Sequence, residues 1–253
     1  MSTYSGPLID RAQYPNLHPF DLHIHTRSSP DTDTTITELL MLAKQHGFGI
    51  AITDHNVISG CLEAMKQEEV PVLPGIEVTS NENLDFLCYF PSKDALVSFY
   101  TTTIEPHQRH DWLKTSKLAG TSIIAACHSR GGVICLAHPY RFNGKLFRLN
   151  GPSLVKHYLP QVDAVEVANG RTIQMLNNKA LKKAEEQAKC FLGGSDAHHV
   201  TDLVSAFTLF KSKEPRAMVA AIKEGDTVVI GKGMKVIIKM LRSGRKAVSR
   251  LVS

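Results

Sequence analysis

At 253 residues, with 43% hydrophobic and 21% charged side chains, the chain has an ordinary soluble globular composition and can bury a large core without disulfides or a structural metal. No run approaches the ~18 apolar residues of a membrane span and the N-terminal stretch lacks a leader pattern, so no integral membrane contact and a cytoplasmic location are expected. The formal charge of +5 is uneven: from Lys232 onward there are seven Lys/Arg and no acid, and subtracting those seven leaves −2 for the rest.

Strand-like and helix-like signals alternate along the chain. "FDLHIH" (20–25) reads as a strand, and 34–47 as a helix with apolar residues at 36, 39, 40, 42 and 43. Thr35 and Glu38 have the spacing of a capping box and Gly47 is a C-terminal stop. "FGIAITDH" (48–55) is a buried strand, followed by a short helix over 59–68 and two strands in 70–80 and 84–90. The segment from about 91 to 130 is mostly helical and longer than a crossover needs. Strand signals return at 131–139, 162–170, 190–199, 205–210 and 227–231, with a long helix over 173–189 and another after Glu214. Apolar strands separated by helices predict a mostly parallel sheet, and seven or more such units favour a closed barrel. One domain with terminal extensions is the simplest organisation: an extension over 1–17, the domain over 18–231 with its helical insertion at about 91–130, and a basic tail over 232–253.

The five cysteines show neither a CxxC nor regular spacing, and Cys88 and Cys135 lie in apolar runs, so they read as reduced core thiols.

Unusual polar residues gather at the C-terminal ends of the predicted strands, where the loops of parallel barrels converge on an active site. His23 and His25 close the first strand, Asp54 and His55 the second. Glu77 follows "VLPGI", His138 closes "VICLA", and Asp196 and His198 follow "FLGGS". In an extended segment residues i and i+2 share a side, so His23/His25 and Asp196/His198 can each act as a pincer. Asp54 and His55 are adjacent and cannot both point inward; His55 is the expected ligand and Asp54 the acceptor that orients an imidazole. Each feature alone has a bland reading as a partly buried pair, a turn or a cap. Five histidines and several carboxylates at one rim are costly to crowd unless cations neutralise them, which points to a polynuclear metal centre.

These motifs, "DLHIHT…SPD" (21–31), "AITDHN" (51–56), "GIEV" (75–78), "LAHP" (136–139) and "GGSDAH" (193–198), together with "EVANGR" (166–171), resemble the PHP (polymerase and histidinol phosphatase) family in order and spacing. The resemblance implies a distorted (β/α)7 barrel, a single α/β domain, and phosphoester hydrolysis with two or three divalent ions of Zn, Mn or Fe. It implies one ion on His23, His25, Glu77 and Asp196, with Glu77 bridging, a second on Glu77 and His138, and a third on Asp31, His55 and His198. The chain departs from the pattern at one ligand of the second ion, where the family's histidine is replaced by Asp85; a swing of His107 or His110 from the insertion is the alternative. Hydroxide generated near Glu77 and Asp196 would attack a phosphomonoester in line, with Asp54 in support.

Phosphate recognition needs a guanidinium or backbone donors, and Arg141 followed by Arg171 are the best-placed arginines, ahead of Arg148 and Arg130. His199 would point away from His198. Trp112 reads as a helix-packing residue. The expected substrate is a phosphorylated small molecule, a nucleotide or an oligonucleotide end. A nuclease acting on nucleic-acid ends, and a catalytically silent metal-binding module, are the competing readings. The basic tail has apolar residues at broadly helical spacing (Val236, Ile237, Met240, Leu241, Val248, Leu251 and Val252) and is either a packed terminal helix or a contact for nucleic acid or an anionic surface.

Overall fold

In the computed structural model the described residues are 3–5, 14–108, 116–141, 151–231 and 233. They form a mixed α/β fold with two five-stranded sheets. The first carries, in spatial order, β1 (Thr3–Ser5), β10 (Val228–Gly231), β9 (Ala206–Phe210), β2 (His18–Ile24) and β3 (Gly49–Ile52). The second carries β4 (Gly75–Thr79), β5 (Asp85–Tyr89), β6 (Val133–Leu136), β7 (Ala164–Asn169) and β8 (Cys190–Gly194). Strand β1, inside the predicted extension, pairs in parallel with β10.

The pairs β2–β3, β6–β7 and β7–β8 are parallel, as the alternating pattern predicts. Strands β5 and β9 are not: β5 runs antiparallel to both β4 and β6, and β9 antiparallel to β2 and β10. For β5 the reason is local. Only the residues between Thr79 and Asp85 separate it from β4, too few for a crossover, so the chain makes a hairpin with Asn83 at φ 61°. The reversal brings the first residue of β5, Asp85, to the rim where the parallel strands end.

Single bridges tie the two sheets together: Ile24 to Ala197, His55 to Glu77, and Ile50 to Val72. Hydrogen bonds reinforce the first two, His25 N–H to Ala197 O at 3.0 Å and Asn56 N–H to Glu77 O at 2.8 Å. A buried cluster drawn from both sheets fills the space between them, with Phe20, Leu22, Ala51, Leu87, Tyr89 and Leu192 among its members. Tyr89 Oη donates to Leu22 O at 2.8 Å across it. A second cluster, including Ile24, Ile52, Ile76 and Phe86, lies under α1 (Ile36–His46), α2 (Ser59–Ala64), α3 (Lys93–Phe99) and α4 (Gly120–His128).

Leu22 and Ile24 therefore belong to different clusters, although strict alternation would put them on one face. The cause is an extra residue in β2: Asp21 pairs with Ile50 but Ile24 pairs with Ile52. That bulge reverses the facing along the strand, so Leu22 and His23 both serve the interior.

The helical insertion contains α3, a π-helical turn over Tyr100–Ile104, a 3-10 turn over Glu105–His107, and α4. Helix α1 starts at Thr35 with the reciprocal capping box to Glu38 and stops at Gly47 in the left-handed conformation, φ 67°. The remaining helices are α5 (Gly151–Tyr158), α6 (Gln174–Glu186) and α7 (Pro215–Glu224). Among the described residues no helix is long and apolar enough to cross a membrane. All five cysteines are buried and unpaired by disulfides. The basic tail, apart from Gly233, lies outside the described residues, as do His110, Trp112 and Arg148.

Candidate metal centre

Nine predicted ligands meet at the rim formed by the ends of β2, β3, β4, β6 and β8 and the start of β5. His23 and His25 leave β2 as a pair whose Nε2 atoms are 3.1 Å apart. His23 Nδ1 donates to Glu166 Oε1 at 2.9 Å, since a carboxylate only accepts, and this leaves the Nε2 of a neutral His23 as a lone pair aimed at His25. Glu77 lies at the hub. Its Oε1 is 3.4 Å from His23 Nε2 and 3.2 Å from His138 Nε2, and its Oε2 is 3.4 Å from His25 Nε2 and 2.8 Å from His55 Nδ1. Asp196 Oδ1 is 3.5 Å from His25 Nε2 and 3.4 Å from His198 Nδ1. Asp31 Oδ2 reaches His198 Nε2 at 2.8 Å, and Asp85 Oδ2 lies 4.0 Å from His138 Nε2. Among the described residues, four triads are compact enough to hold a cation: His25/His55/His198, His23/His138/Asp196, His23/His25/Glu77 and Glu77/Asp85/His138.

Backbone geometry aims two of these side chains. His138 (φ 27°) and Asp196 (φ 54°) both take a left-handed conformation that non-glycine residues rarely adopt. The surroundings hold that strain: Glu166 Oε2 accepts from His138 N–H at 2.8 Å, and Asp21 Oδ1 accepts from Ser195 N–H at 2.8 Å, next to Asp196.

The electrostatics are those of an uncompensated cage. Burial alone would raise Glu77, yet the imidazoles of His55 and His23 hold it well below the usual carboxylate range. Asp196 is likewise held down against its burial by Arg141 and His23. His23 is driven the other way: burial disfavours its charge, but Glu166, Glu77 and Asp196 carry it well above the usual range. His55 rises to about 9, burial being outweighed by Glu77. Burial and the neighbouring His198 and His55 keep His25 neutral, well below its usual range. The buried atoms His55 Nδ1, Glu77 Oε2 and Asp196 Oδ1 have no hydrogen-bond partner; the 2.8 Å approach of the first two lacks hydrogen-bond geometry. Converging lone pairs and unsatisfied carboxylate oxygens fit divalent ions bound by imidazole and carboxylate, with no thiolate involved.

Asp54 sits differently from expectation. Its carboxylate accepts from Thr26 N–H (2.6 Å), Thr26 Oγ1 (2.8 Å) and Ser29 Oγ (3.0 Å), and burial raises it to about 6. It reaches an imidazole only through Ser29, whose Oγ lies 3.3 Å from His25 Nδ1 and accepts from His55 N–H at 3.0 Å. The residue that directly orients an imidazole is Glu166, which the sequence reading missed. Its signals were an acid inside the strand "AVEVAN" and its place at the head of the motif "EVANGR". His107 is bonded to Thr103 O within the insertion and does not enter the cluster. Arg130 is occupied by Ala126 O, Ser129 Oγ and Thr102 Oγ1. Arg141, by contrast, bonds Asp196 Oδ2, and Arg171 Nη1 lies 3.7 Å from Asp196 Oδ1 with no hydrogen-bond partner.

Comparison with known proteins bears on the descent of the chain and on its fold. The PHP domain family model matches residues 21–149, just over half of the chain, and a PHP-associated model matches 174–227. The Escherichia coli protein named "Probable phosphatase YcdX" is 26% identical over 222 residues, covering 78% of this chain and 83% of its own. A Bacteroides vulgatus two-domain protein, described as containing a predicted PHP-like metal-dependent phosphoesterase, superimposes with a TM-score of 0.62 at 16% identity, over 91% of this chain and 68% of that one. The lesion-specific endonuclease Q of Pyrococcus furiosus gives 0.63 at 18% identity, over 84% of this chain and 57% of that one. At such identities the solved structures speak for the fold alone. The family model speaks for descent, and the chain belongs to the PHP domain family.

Proposed function

We propose that this protein is a metal-dependent hydrolase of phosphoester bonds that acts on a phosphomonoester, either a small molecule or the end of a nucleotide or oligonucleotide. The observation that carries the reading is the pairing, within one buried cluster, of orphaned carboxylate oxygens on Glu77 and Asp196 with two guanidinium groups on the latter. Two or three divalent ions, of Zn, Mn or Fe, would be held by His23, His25, Glu77 and Asp196, by Glu77, His138 and Asp85, and by Asp31, His55 and His198. Bound there, they would supply water activation near neutral pH and neutralisation of phosphoryl oxygens.

The chain's own groups do the rest. Glu166 keeps the proton of His23 on Nδ1 and so frees Nε2 for ligation. Arg141 and Arg171 bind the phosphoryl group, exchanging part of their hold on Asp196 for substrate oxygens. Asp54 supports His25 through Ser29. The catalytic unit in this reading spans 18–231, and its strands β2 to β8 form a distorted seven-stranded ring. Support for the ring comes from the two bridges, Ile24 to Ala197 and His55 to Glu77, that join the sheets at the rim.

Metal analysis of the purified protein followed by a panel of phosphomonoesters and oligonucleotides tests this reading. Two or more ions per chain and metal-dependent release of phosphate are expected. Less than one ion per chain and no turnover with added Mn or Zn would instead establish a silent binding module. Release of nucleotides without action on small esters would establish a nuclease, the reading that the likeness to endonuclease Q also accommodates.

A further inference from the structure

Beside the ligands, the end of β7 carries a fully buried amide. Asn169 is without solvent exposure and closes the strand that carries Glu166 three residues earlier. Strict alternation would put residues i and i+3 of a strand on opposite faces. An extra residue in β7 reverses this: Glu166 pairs with Leu192, but Ala168 pairs with Gly193, the very next residue of β8. The bulge turns Glu166 and Asn169 to one side, and their side chains meet at 3.1 Å.

The amide is fully committed. Asn169 Nδ2 donates to Glu166 Oε2 at 3.1 Å and to Asp196 Oδ2 at 3.2 Å. Its Oδ1 accepts from Arg171 N–H and from Thr172 Oγ1, both at 3.0 Å. A carboxamide has two donor hydrogens and two acceptor lone pairs, so no capacity is left over. The partners also fix which end is which, since carboxylates only accept and a backbone N–H only donates. Asn177 clamps the backbone behind it: Asn177 Nδ2 donates to Asn169 O at 3.0 Å, and Asn177 Oδ1 accepts from Asn169 N–H at 3.3 Å. These bonds divide the oxygens of the two acids. On Asp196, Asn169 and Arg141 take Oδ2, and Oδ1 is left without a hydrogen-bond partner, facing His25 and His198. On Glu166, Oε1 accepts from His23 and Oε2 from Asn169 and His138 N–H, so both oxygens are engaged. The amide stabilises both acids without adding a cation that would repel the ions.

We propose that Asn169 is a positioning residue of this centre: it holds Asp196 as a ligand through Oδ1 alone and ties that choice to the Arg171 arm that meets the phosphoryl group. The inference rests on the phosphoesterase reading and concerns the same site. One amide spans the acid that orients His23, the acid that faces the ions and the backbone of Arg171. A substrate phosphate that draws Arg141 away from Asp196 leaves Asn169 as the group that keeps Oδ2 occupied, so the ligand does not turn as the arginines change partners. Without Nδ2 the carboxylate is free to rotate at that moment. Without Oδ1 the turn after β7 loses its side-chain bonds at Arg171 and Thr172, and the guanidinium loses its aim.

The test uses the full-length protein, with Mn titrated in competition with a chelator and inorganic phosphate titrated into the Mn-saturated protein. Asn169→Ala should weaken Mn binding about 10–100-fold, the range for groups that orient metal ligands. Phosphate binding should weaken roughly tenfold, as for one charge-assisted hydrogen bond. In an Arg171→Gln background that second loss should shrink to about twofold, because the arm that Asn169 aims is gone. Thr172→Val removes one anchor of the amide oxygen at nearly constant volume and should give a smaller loss of Mn affinity; it carries the same test should Asn169→Ala fail to fold. Asn177→Ala loosens the backbone and leaves the amide in place. It should lower the melting temperature of the metal-free protein as Asn169→Ala does, with less loss of Mn affinity. Unchanged Mn affinity in Asn169→Ala and Thr172→Val would overturn the inference. So would an Asn177→Ala variant that matches Asn169→Ala in both melting temperature and Mn affinity, since the amide would then only support the fold. If the Mn and phosphate affinities behave as expected but the parent hydrolyses no ester, the phosphoesterase reading fails and the positioning role stands.

Discussion

Strand β2 carries Phe20 and Leu22 toward its base and leads to His23 and His25 at its rim, and all four are essentially without solvent exposure. Burial means opposite things at the two ends. At the base Phe20 meets Phe210 edge to face, with ring centroids 5.8 Å apart, in an apolar cluster shared by both sheets. At the rim, equally deep groups include carboxylate oxygens with no partner and imidazoles crowded on one another. The base converts burial into stability through apolar area and packing. The rim holds charge in a low-dielectric setting that favours a cation, and stability is lost there in its absence.

That contrast can be broken or sharpened in four ways. Glu77→Gln should reduce phosphoester turnover on the order of 10³-fold or more and lower metal content, while the metal-free protein unfolds no earlier than the parent; assay, elemental analysis and thermal melts read all three. Phe20→Ala at the base should do the reverse, costing roughly 3–5 kcal/mol in denaturant unfolding with metal content per folded chain unchanged. Glu166→Gln should weaken metal binding about 10–100-fold, measured by competition with a chelator, with a smaller effect on folding. Thr35→Ala removes the cap of α1, whose side chain makes its hydrogen bonds with Glu38 and no contact with the proposed ligands, and should cost about 1 kcal/mol with normal metal binding. If Glu77→Gln destabilised the metal-free fold as much as Phe20→Ala, the division between the two ends would be wrong.

Much of this was legible in the residues alone. The capping box at Thr35 and Glu38 and the stop at Gly47 are local, set by hydrogen bonds within one turn, so spacing alone reveals them. The rim residues were legible because imidazoles and carboxylates at strand ends violate the apolar pattern around them. Glu166 was less legible: it heads the motif "EVANGR", but only the approach of β2 and β6 reveals what its two oxygens accept.

By itself, the sequence determined the alternation of elements, the caps and the kind of chemistry at the rim, because each depends on residue type and short-range spacing. Tertiary structure alone decided that β5, reversed by its short hairpin, also pairs with β6 and so sets Asp85 near His138, and that a bulge in β2 separates Leu22 and Ile24 into different clusters. It also decided that His138 and Asp196 take left-handed backbones and that Gly233 meets Gln174 at the start of α6. These depend on which strands pair and at what register, and contacts between residues far apart in the chain settle that, which no local pattern encodes.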